Sequence, residues 1–225
     1  LLLKYGGVKR HKILELGCGT VSHSFFLEKQ GHEIVAIDLS TSMIEKAILK
    51  GETTGSNIKF SVQNMVELDQ DGKPFDSVIC LFDSICYVLN NSDFEQTLNR
   101  IRTHLKPAGL FIFEFWNAAA MINHLDPIRI KRLQHEDEQF LKISEAELDL
   151  IDQLYKVNYT LYEFKADGRY QVYSEQHINR FYQIQEMAYF LNKARFQPLK
   201  WNAGYTNSNF ITDKTWNILC VAKAQ

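Results

Sequence analysis

Glycines at 17 and 19 close the apolar run Ile13-Leu14-Glu15-Leu16 and precede a helix-like segment. This spacing is that of a strand turning tightly into a helix whose free N–H groups face a ligand, and glycine lets the backbone approach it where a Cβ would intrude. Twenty-one residues beyond Gly17 a second apolar run, Glu33 to Ile37, ends in Asp38. A carboxylate at the tip of a neighbouring strand is placed to accept hydrogen bonds from two ribose hydroxyls, so the two stretches predict a site for a nucleoside cofactor. Other residues able to do chemistry stand at or near the ends of later apolar runs: Asn64 and Met65, Phe82 and Asp83, Trp116 and Asn117, then His177. Tyr87 and Arg180 lie close to them in sequence. A carboxylate such as Asp83 orients an amine or hydroxyl, or else caps the next turn. Imidazole takes up a proton near neutral pH, so His177 is either a base or a hydrogen-bonded core residue. Trp116 offers a ring face to a cation, and Arg180 pairs with a substrate anion or ties two parts of the chain together.

The elements that position these groups follow from hydrophobic periodicity. Strands are expected at Lys12–Leu16, Glu33–Ile37, Ile58–Val62, Ser77–Phe82 and Leu110–Phe115. Between them come helices at 22–30, with Phe25, Phe26 and Leu27 inward, at 43–48, and at 93–105; Gly51 to Ser56 reads as a polar loop. Leu1 to Tyr5 looks like the end of a helix closed by Gly6-Gly7. Alternating strands and helices make an α/β core whose strands are mostly parallel, with their C-terminal ends at one rim. From Pro127 to Ile178 the pattern changes to short alternating strands, with a hairpin turn at Asp167-Gly168, and predicts an antiparallel insertion after the fifth strand. Its acidic stretch Glu136-Asp137-Glu138 reads as solvated surface. A helix at 183–194 and strands at 196–201 and 216–222 return the chain to the sheet, with Gly204 to Asn209 as a loop between them.

A length of 225 residues permits one sizeable domain with a modest insertion, and a net charge of -2 gives no reason to expect a nucleic-acid or membrane partner. The four cysteines, Cys18, Cys80, Cys86 and Cys220, have neither ligand nor redox spacing, which favours buried reduced thiols, a cytoplasmic location and no metal. Ten Tyr and fifteen Phe suggest aromatic-lined surface or pocket as well as core, although aromatics mostly fill interiors. The insertion's tyrosines, Tyr155, Tyr159, Tyr162, Tyr170 and Tyr173, make it a candidate contact with a second copy of the chain, or else part of the substrate side.

The stretch Glu15-Leu16-Gly17-Cys18-Gly19-Thr20, the acid Asp38, the segment from Asp76 into Ser77-Val78 and the turn Leu105-Lys106-Pro107-Ala108-Gly109-Leu110 together resemble the class I S-adenosylmethionine-dependent methyltransferases. The resemblance implies their fold: doubly wound α/β, a mostly parallel seven-stranded Rossmann-like sheet, here with the antiparallel insertion. It implies S-adenosylmethionine as cofactor. Gly17, Cys18 and Gly19 would border its amino-acid portion, Glu15 and the Phe82 backbone its amino group, Asp38 its ribose. Leu39 and Met43 would flank its adenine, and Asn64 and Met65 would meet the base. Leu81 to Tyr87, Phe113 to Trp116 and Glu175-Gln176-His177 are similar to the enzymes that N-methylate amino sugars carried on nucleotides. Two residues depart from the family pattern. Val21 stands where a further glycine is usual and would narrow the cradle, and Asn64 stands where an acid is usual.

Methyl transfer from a sulfonium is a one-step displacement. It needs an aligned nucleophile, exclusion of water and an acceptor for any released proton. His177 and Asp83 are the expected catalytic pair, with Tyr87, Trp116, Asn117 and Arg180 on the substrate side. An amine asks less of a base than a hydroxyl does, so a small polar amine is the expected acceptor and a hydroxyl or carboxylate the alternative. A nicotinamide dehydrogenase is disfavoured because Ser22 replaces the third glycine of the dinucleotide fingerprint. A nucleic-acid enzyme is disfavoured because the one dense basic cluster, Arg129, Lys131 and Arg132, alternates with Ile128 and Ile130 as strand-surface residues do. A protein that binds the cofactor without turnover is the remaining rival.

Overall fold

The computed structural model describes residues 1–7, 10–135, 138–165, 167–206 and 208–225. Glu136, Asp137 and Asn207 therefore lie outside the described residues, as do parts of the expected acidic stretch and of the 204–209 loop. A seven-stranded sheet forms the core. Its parallel strands are β1 (Lys12–Leu16), β2 (Glu33–Asp38), β3 (Lys59–Val62), β4 (Phe75–Cys80) and β5 (Leu105–Trp116), and β10 (Phe196–Ala203) and β11 (Asn217–Ala224) complete it. The order is β10-β11-β5-β4-β1-β2-β3, with β11 antiparallel to β5 and β10 antiparallel to β11. This is the doubly wound Rossmann-like sheet that the strand and helix pattern implies.

The strands are buried on both faces, as near-continuous apolar runs require. One face packs α4 (Asn91–His104) and α6 (Ile184–Lys193), through Phe94, Leu98, Ile101, Met187 and Leu191, against Leu14, Leu16, Phe111, Phe113 and Phe115. The other packs α2 (Ser22–Lys29) and α3 (Thr41–Thr54) against Ile13, Ile34, Ala36 and Ile79 through Phe25, Ile44 and Ala47. Two expectations fail on these helices. Phe26 is exposed, because it lies about 100° around the helix from the buried Phe25. The stretch from Gly51 is no loop: α3 runs on to Thr54, and Gly51 is buried where a Cβ would stand 3.3 Å from the Phe60 ring. A short helix α1 (Leu2–Gly6) ends on Gly7 at φ 68, as expected from the paired glycines. The helix α5 (Ala118–His124), capped by the Asn117 side chain, is an element that periodicity did not signal.

A second, four-stranded antiparallel sheet contains β6 (Ile128–His135), β7 (Glu138–Asp149), β8 (Leu154–Phe164) and β9 (Tyr170–Arg180), in that order. Directly opposed residues point to the same face. Leu148, Tyr155 and Asn179 therefore share a face with Val157 and His177, and that face turns toward the core. There Leu148 and Tyr155 pack with Trp116, Met121, Phe181 and Trp216.

Arg180, at the end of β9, fastens the second sheet to α4 and α6, which pack on the first. It is 5% exposed, donates to Asn91 Oδ1 at 2.6 Å and Glu186 Oε1 at 2.7 Å, and lies over the Tyr182 ring. Removing a buried guanidinium leaves Glu186 without its cation, so Arg180→Ala is expected to cost about 3 kcal/mol in urea unfolding. A loss under about 1 kcal/mol would show that apolar packing alone joins the sheets.

Candidate active site

The loops after β1, β2 and β4 and the turn after β3 surround a cavity of about 940 Å³ at the C-terminal rim. Its lining includes Gly17 to His23, Asp38, Leu39, Met43, Asn64, Met65, Phe82, Ser84, Tyr87, Glu175 and His177. Most of the residues singled out from sequence are thus brought to one place.

The cradle is built on backbone geometry. Gly17 has φ 64, and a Cβ there would stand 2.6 Å from Ser84 Cβ and Oγ. Gly19 has φ 52 and nothing within 4 Å of its Cβ direction, so a side chain there would project into open space. Asp38 orients the turn: Oδ2 accepts from Gly19 N at 2.8 Å and Oδ1 from Ser40 N at 2.9 Å. A carboxylate offers about four acceptor sites, so two remain for ribose hydroxyls. Asn64 Oδ1 accepts from Val66 N at 3.0 Å, capping the turn Met65–Glu67, and keeps one lone pair. Leu39 is exposed along the same cavity, and Met43 is too open to be core. Val21 stands in the cavity lining, with its side chain buried in the cluster with Cys18 and Phe25 and its backbone held at φ 62. A β-branched residue in that region is strained by roughly 1–3 kcal/mol.

Below the cradle lies a group of buried acids. Glu15 is 2% exposed, accepts from Ser24 Oγ, and stands 3.8 Å from His23 Nδ1. Burial pushes its carboxyl up to about 7, against the lowering effect of the Ser24 bond. Asp83 is also pushed up to about 7, first by burial and then by the neighbouring charge of Glu114. The two acids share one donor: Asn217 Nδ2 reaches both Asp83 oxygens at 2.9 Å and Glu114 Oε1 at 2.5 Å. The Trp116 indole donates to Asp83 as well. Among the described residues none of these three acids pairs with a lysine or arginine.

On the opposite wall, Tyr87 Oη lies 2.7 Å from His177 Nδ1, and His177 Nε2 lies 2.9 Å from Glu175 Oε1. The partners fix the protons: Nε2–H donates to the carboxylate, and the phenol donates to Nδ1. Burial holds the Tyr87 phenol above its ordinary range, while a bond from Asn179 partly opposes this. Five residues named from sequence, Glu15, Asp83, Trp116, Asn117 and Arg180, are not part of the cavity lining. Trp116 is turned toward Tyr155 and Asp83, Asn117 caps α5 and donates to Thr212 and Thr215 carbonyls, and Arg180 ties the second sheet to α4 and α6. The Asp83 carboxyl, held by Asn217, likewise faces β5 and β11. The Phe82 N–H points to Tyr205 Oη at 3.4 Å, while its ring lines the cavity beside His23. Sequence reading missed Glu175, Asn179, Glu114 and Asn217 as site residues. For the first two the signal was present, since strand alternation puts 175, 177 and 179 on one face.

Residues 13–109 match a family model described as a methyltransferase domain. A putative methyltransferase of Geobacillus sp. is 31% identical over 206 residues, spanning 92% of this chain and 82% of that protein. The chain belongs to the S-adenosylmethionine-dependent methyltransferases. A second putative methyltransferase, of Bacillus subtilis, is 27% identical over 89% of this chain and 79% of its own. The fold of this methyltransferase is also that of an S-adenosylmethionine-dependent methyltransferase from Clostridium acetobutylicum, with TM-score 0.82, 20% identity, and coverage of 99% of this chain and 87% of that one. A sugar N-methyltransferase from Streptoalloteichus sp. superposes with TM-score 0.79 at 18% identity, covering 100% of this chain and 83% of that one.

The methyltransferase's cofactor is S-adenosylmethionine, and the residues present fit it. Gly19 opens into the cavity, Asp38 retains acceptor sites, and Glu15 is a buried acid that pairs with no lysine or arginine among the described residues. All four cysteines are free and buried, and Cys18 is pushed up to about 12 by burial and by Glu15 and Asp38, so its thiol is inert at the cradle.

Glu15 makes the protein pH-sensitive in the absence of cofactor. Its folded value of about 7 lies above the ordinary 4.5, so the folded state keeps the proton longer than the unfolded one. The contribution is complete below pH 4.5 and is lost as pH rises through about 7, by about 3 kcal/mol. Urea melts between pH 4.5 and 8 should show this decline together with one from Asp83, also raised to about 7, and Glu15→Gln should make the total shallower by about 3 kcal/mol. Equal slopes in both proteins would remove Glu15 as a cause.

Proposed function

We propose that this methyltransferase N-methylates a small polar amine, with an amino sugar carried on a nucleotide as the acceptor class. The observation that carries the reading is the hydrogen-bonded string Tyr87–His177–Glu175 on the wall of the same cavity as the glycine cradle. The likeness in fold to a sugar N-methyltransferase supports it. S-adenosylmethionine supplies a methyl group already activated on a sulfonium, so the protein's work is to align the acceptor and take its proton. In this reading Gly17, Cys18, Gly19 and Glu15 hold the amino-acid end of the cofactor and Asp38 the ribose. Leu39, Met43, Asn64 and Met65 hold the base. Tyr87 accepts a hydrogen bond from the acceptor amine. As the amine gives up a proton to the Tyr87 oxygen, the phenol proton moves to His177 Nδ1, and Glu175 stabilises the imidazolium through Nε2–H. Asp83 acts at one remove, through Asn217 and the rim it shapes. The four unpaired thiols suit a reducing, cytoplasmic setting.

Incubation with nucleotide-linked amino sugars and with matched hydroxyl compounds, followed by mass spectrometry, tests the acceptor. Addition of 14 mass units (one CH₂ net) is expected on amines. Methylation of hydroxyl or carboxylate compounds alone would overturn the reading. Tyr87→Phe is expected to lower kcat by about 10²-fold, the usual size of a general acid–base contribution, while leaving affinity for the cofactor intact. An unchanged kcat would remove the phenol from the proton path.

The outward face of the second sheet favours a second copy of this chain as partner. Ile128, Ile130, Phe164, Tyr170 and Val172 are all exposed on it, while the tyrosines divide between the faces, Tyr155, Tyr159 and Tyr173 lying inward. Sedimentation should give a dimer at micromolar concentration, and a pure monomer would end the proposal.

A further inference from the structure

The inward face of the second sheet carries more than the proton-accepting string. Register places its side chains in rows. His177, Val157 and Ala146 form one, and Glu175, Tyr159, Ser144 and Arg129 the next. Tyr173, Leu161, Lys142 and Lys131 form the third. The first row is packed on the core, with Val157 1% exposed, whereas the third stands beyond it, with Lys131 exposed and Lys142 half-buried. Lys131 and Lys142 are directly opposite one another across β6 and β7. Like charges in that relation repel and destabilise a sheet. Among the described residues neither lysine has a carboxylate partner; the Lys142 ammonium instead lies 3.8 Å from the Tyr159 ring centroid. That ring is in turn 5.5 Å from the His177 ring. Arg129, two residues before Lys131 on the same face, lies over Trp216 and is 3.4 Å from Asp126. The acids nearby are committed elsewhere: Glu175 to His177, and Glu163 to Lys165 and Tyr173.

We infer that Lys131 and Lys142, flanked by Arg129 and the Ser144 hydroxyl, form a binding site for a diphosphate group of the methyl acceptor, one aromatic ring away from His177. This rests on the amine reading above and gives the acceptor its second handle. A single carboxylate would leave most of this positive charge unmatched, whereas a diphosphate brings at least two negative charges and many acceptor oxygens. Lysine serves such groups as a point charge on a flexible stem. The mutual repulsion of the two ammoniums is relieved when the anion sits between them, so the strain of the empty pair becomes affinity for the occupied one.

Calorimetric titration of the full chain, saturated with the demethylated cofactor, tests the site with three probes: inorganic pyrophosphate, a nucleoside diphosphate and the uncharged nucleoside. Pyrophosphate and the nucleoside diphosphate are expected to bind and the nucleoside to bind at least tenfold more weakly. The double variant Lys131→Gln, Lys142→Gln should weaken both charged probes at least tenfold with its affinity for the demethylated cofactor unchanged and its melting temperature not lowered. Lys142→Arg, which keeps the charge, should retain them. No binding of either charged probe, or equal binding by the double variant, would overturn the site. Tighter binding of a single-stranded RNA than of the nucleoside diphosphate would overturn it too, by assigning the lysines to nucleic acid. Failure here leaves the amine reading standing if amines are methylated; diphosphate binding with methylation of hydroxyls alone would fail the amine reading and not the site.

Discussion

The rim depends on one close contact, that of the backbone at Gly17 with the turn after β4. Strand β1 pairs with β2 on one side and β4 on the other, so the chain leaves β1 in one direction and later returns on its opposite flank. Where strand order reverses in this way, the loops at the C-terminal ends diverge and a crevice opens between them. Ser84 Oγ donates to the Gly17 carbonyl at 3.3 Å and to Leu81 O at 2.9 Å, which joins the two loops at the base of that crevice. With Gly17 fixed, the chain turns so that Gly19 N meets Asp38, and the end of β2 is thereby tied to the same loop. A side chain at 17 would separate Ser84 from the carbonyl and disturb three strand ends together.

The parts of this arrangement visible in the sequence are those governed by neighbours along the chain. Glycine spacing and apolar runs of five or six residues are local signals, and the five parallel strands, Asp38 and the cradle follow from them. The orientation of Phe26 and the continuation of α3 through Gly51 were hidden for a different reason. Both turn on which face of a helix meets the sheet, and at Gly51 on a Phe60 ring from another element. The same limit applies at the site. Asp83 is next to Phe82 in sequence, yet its carboxyl is claimed by Asn217, 134 residues away, and Arg180 is claimed by Asn91 and Glu186. A side chain's chemistry is legible when its partners are local and is decided elsewhere when they are not.

The acids under the cradle show how the sheet tolerates buried charge without a cation. Glu15 and Asp83 avoid the full cost of ionisation by holding protons near neutral pH, because desolvation disfavours the charged form. Asn217 contributes both hydrogens of one amide, so β4, β5 and β11 are cross-linked at their tips by a neutral group. An arginine there would neutralise the pair, which the amide does not. The arrangement leaves this side of the rim able to become negative, and a ligand that carries positive charge favours that change.

The second sheet completes the site from above because its two faces differ in kind. Residues 175, 177 and 179 fall on the inner face together by the period of two, and their order along β9 sets the depth of each group. Asn179, at 3% exposure, is anchored in the core; His177 is half-buried at the cavity wall; Glu175 stands at the opening. A one-residue slip of β9 against β8 would replace all three with Ser174, Gln176 and Ile178 and remove the string at once. Register is held where it matters by burial at the core end, through Val157, Asn179 and Arg180, so the chemistry of the wall is fixed by packing that lies one row below it.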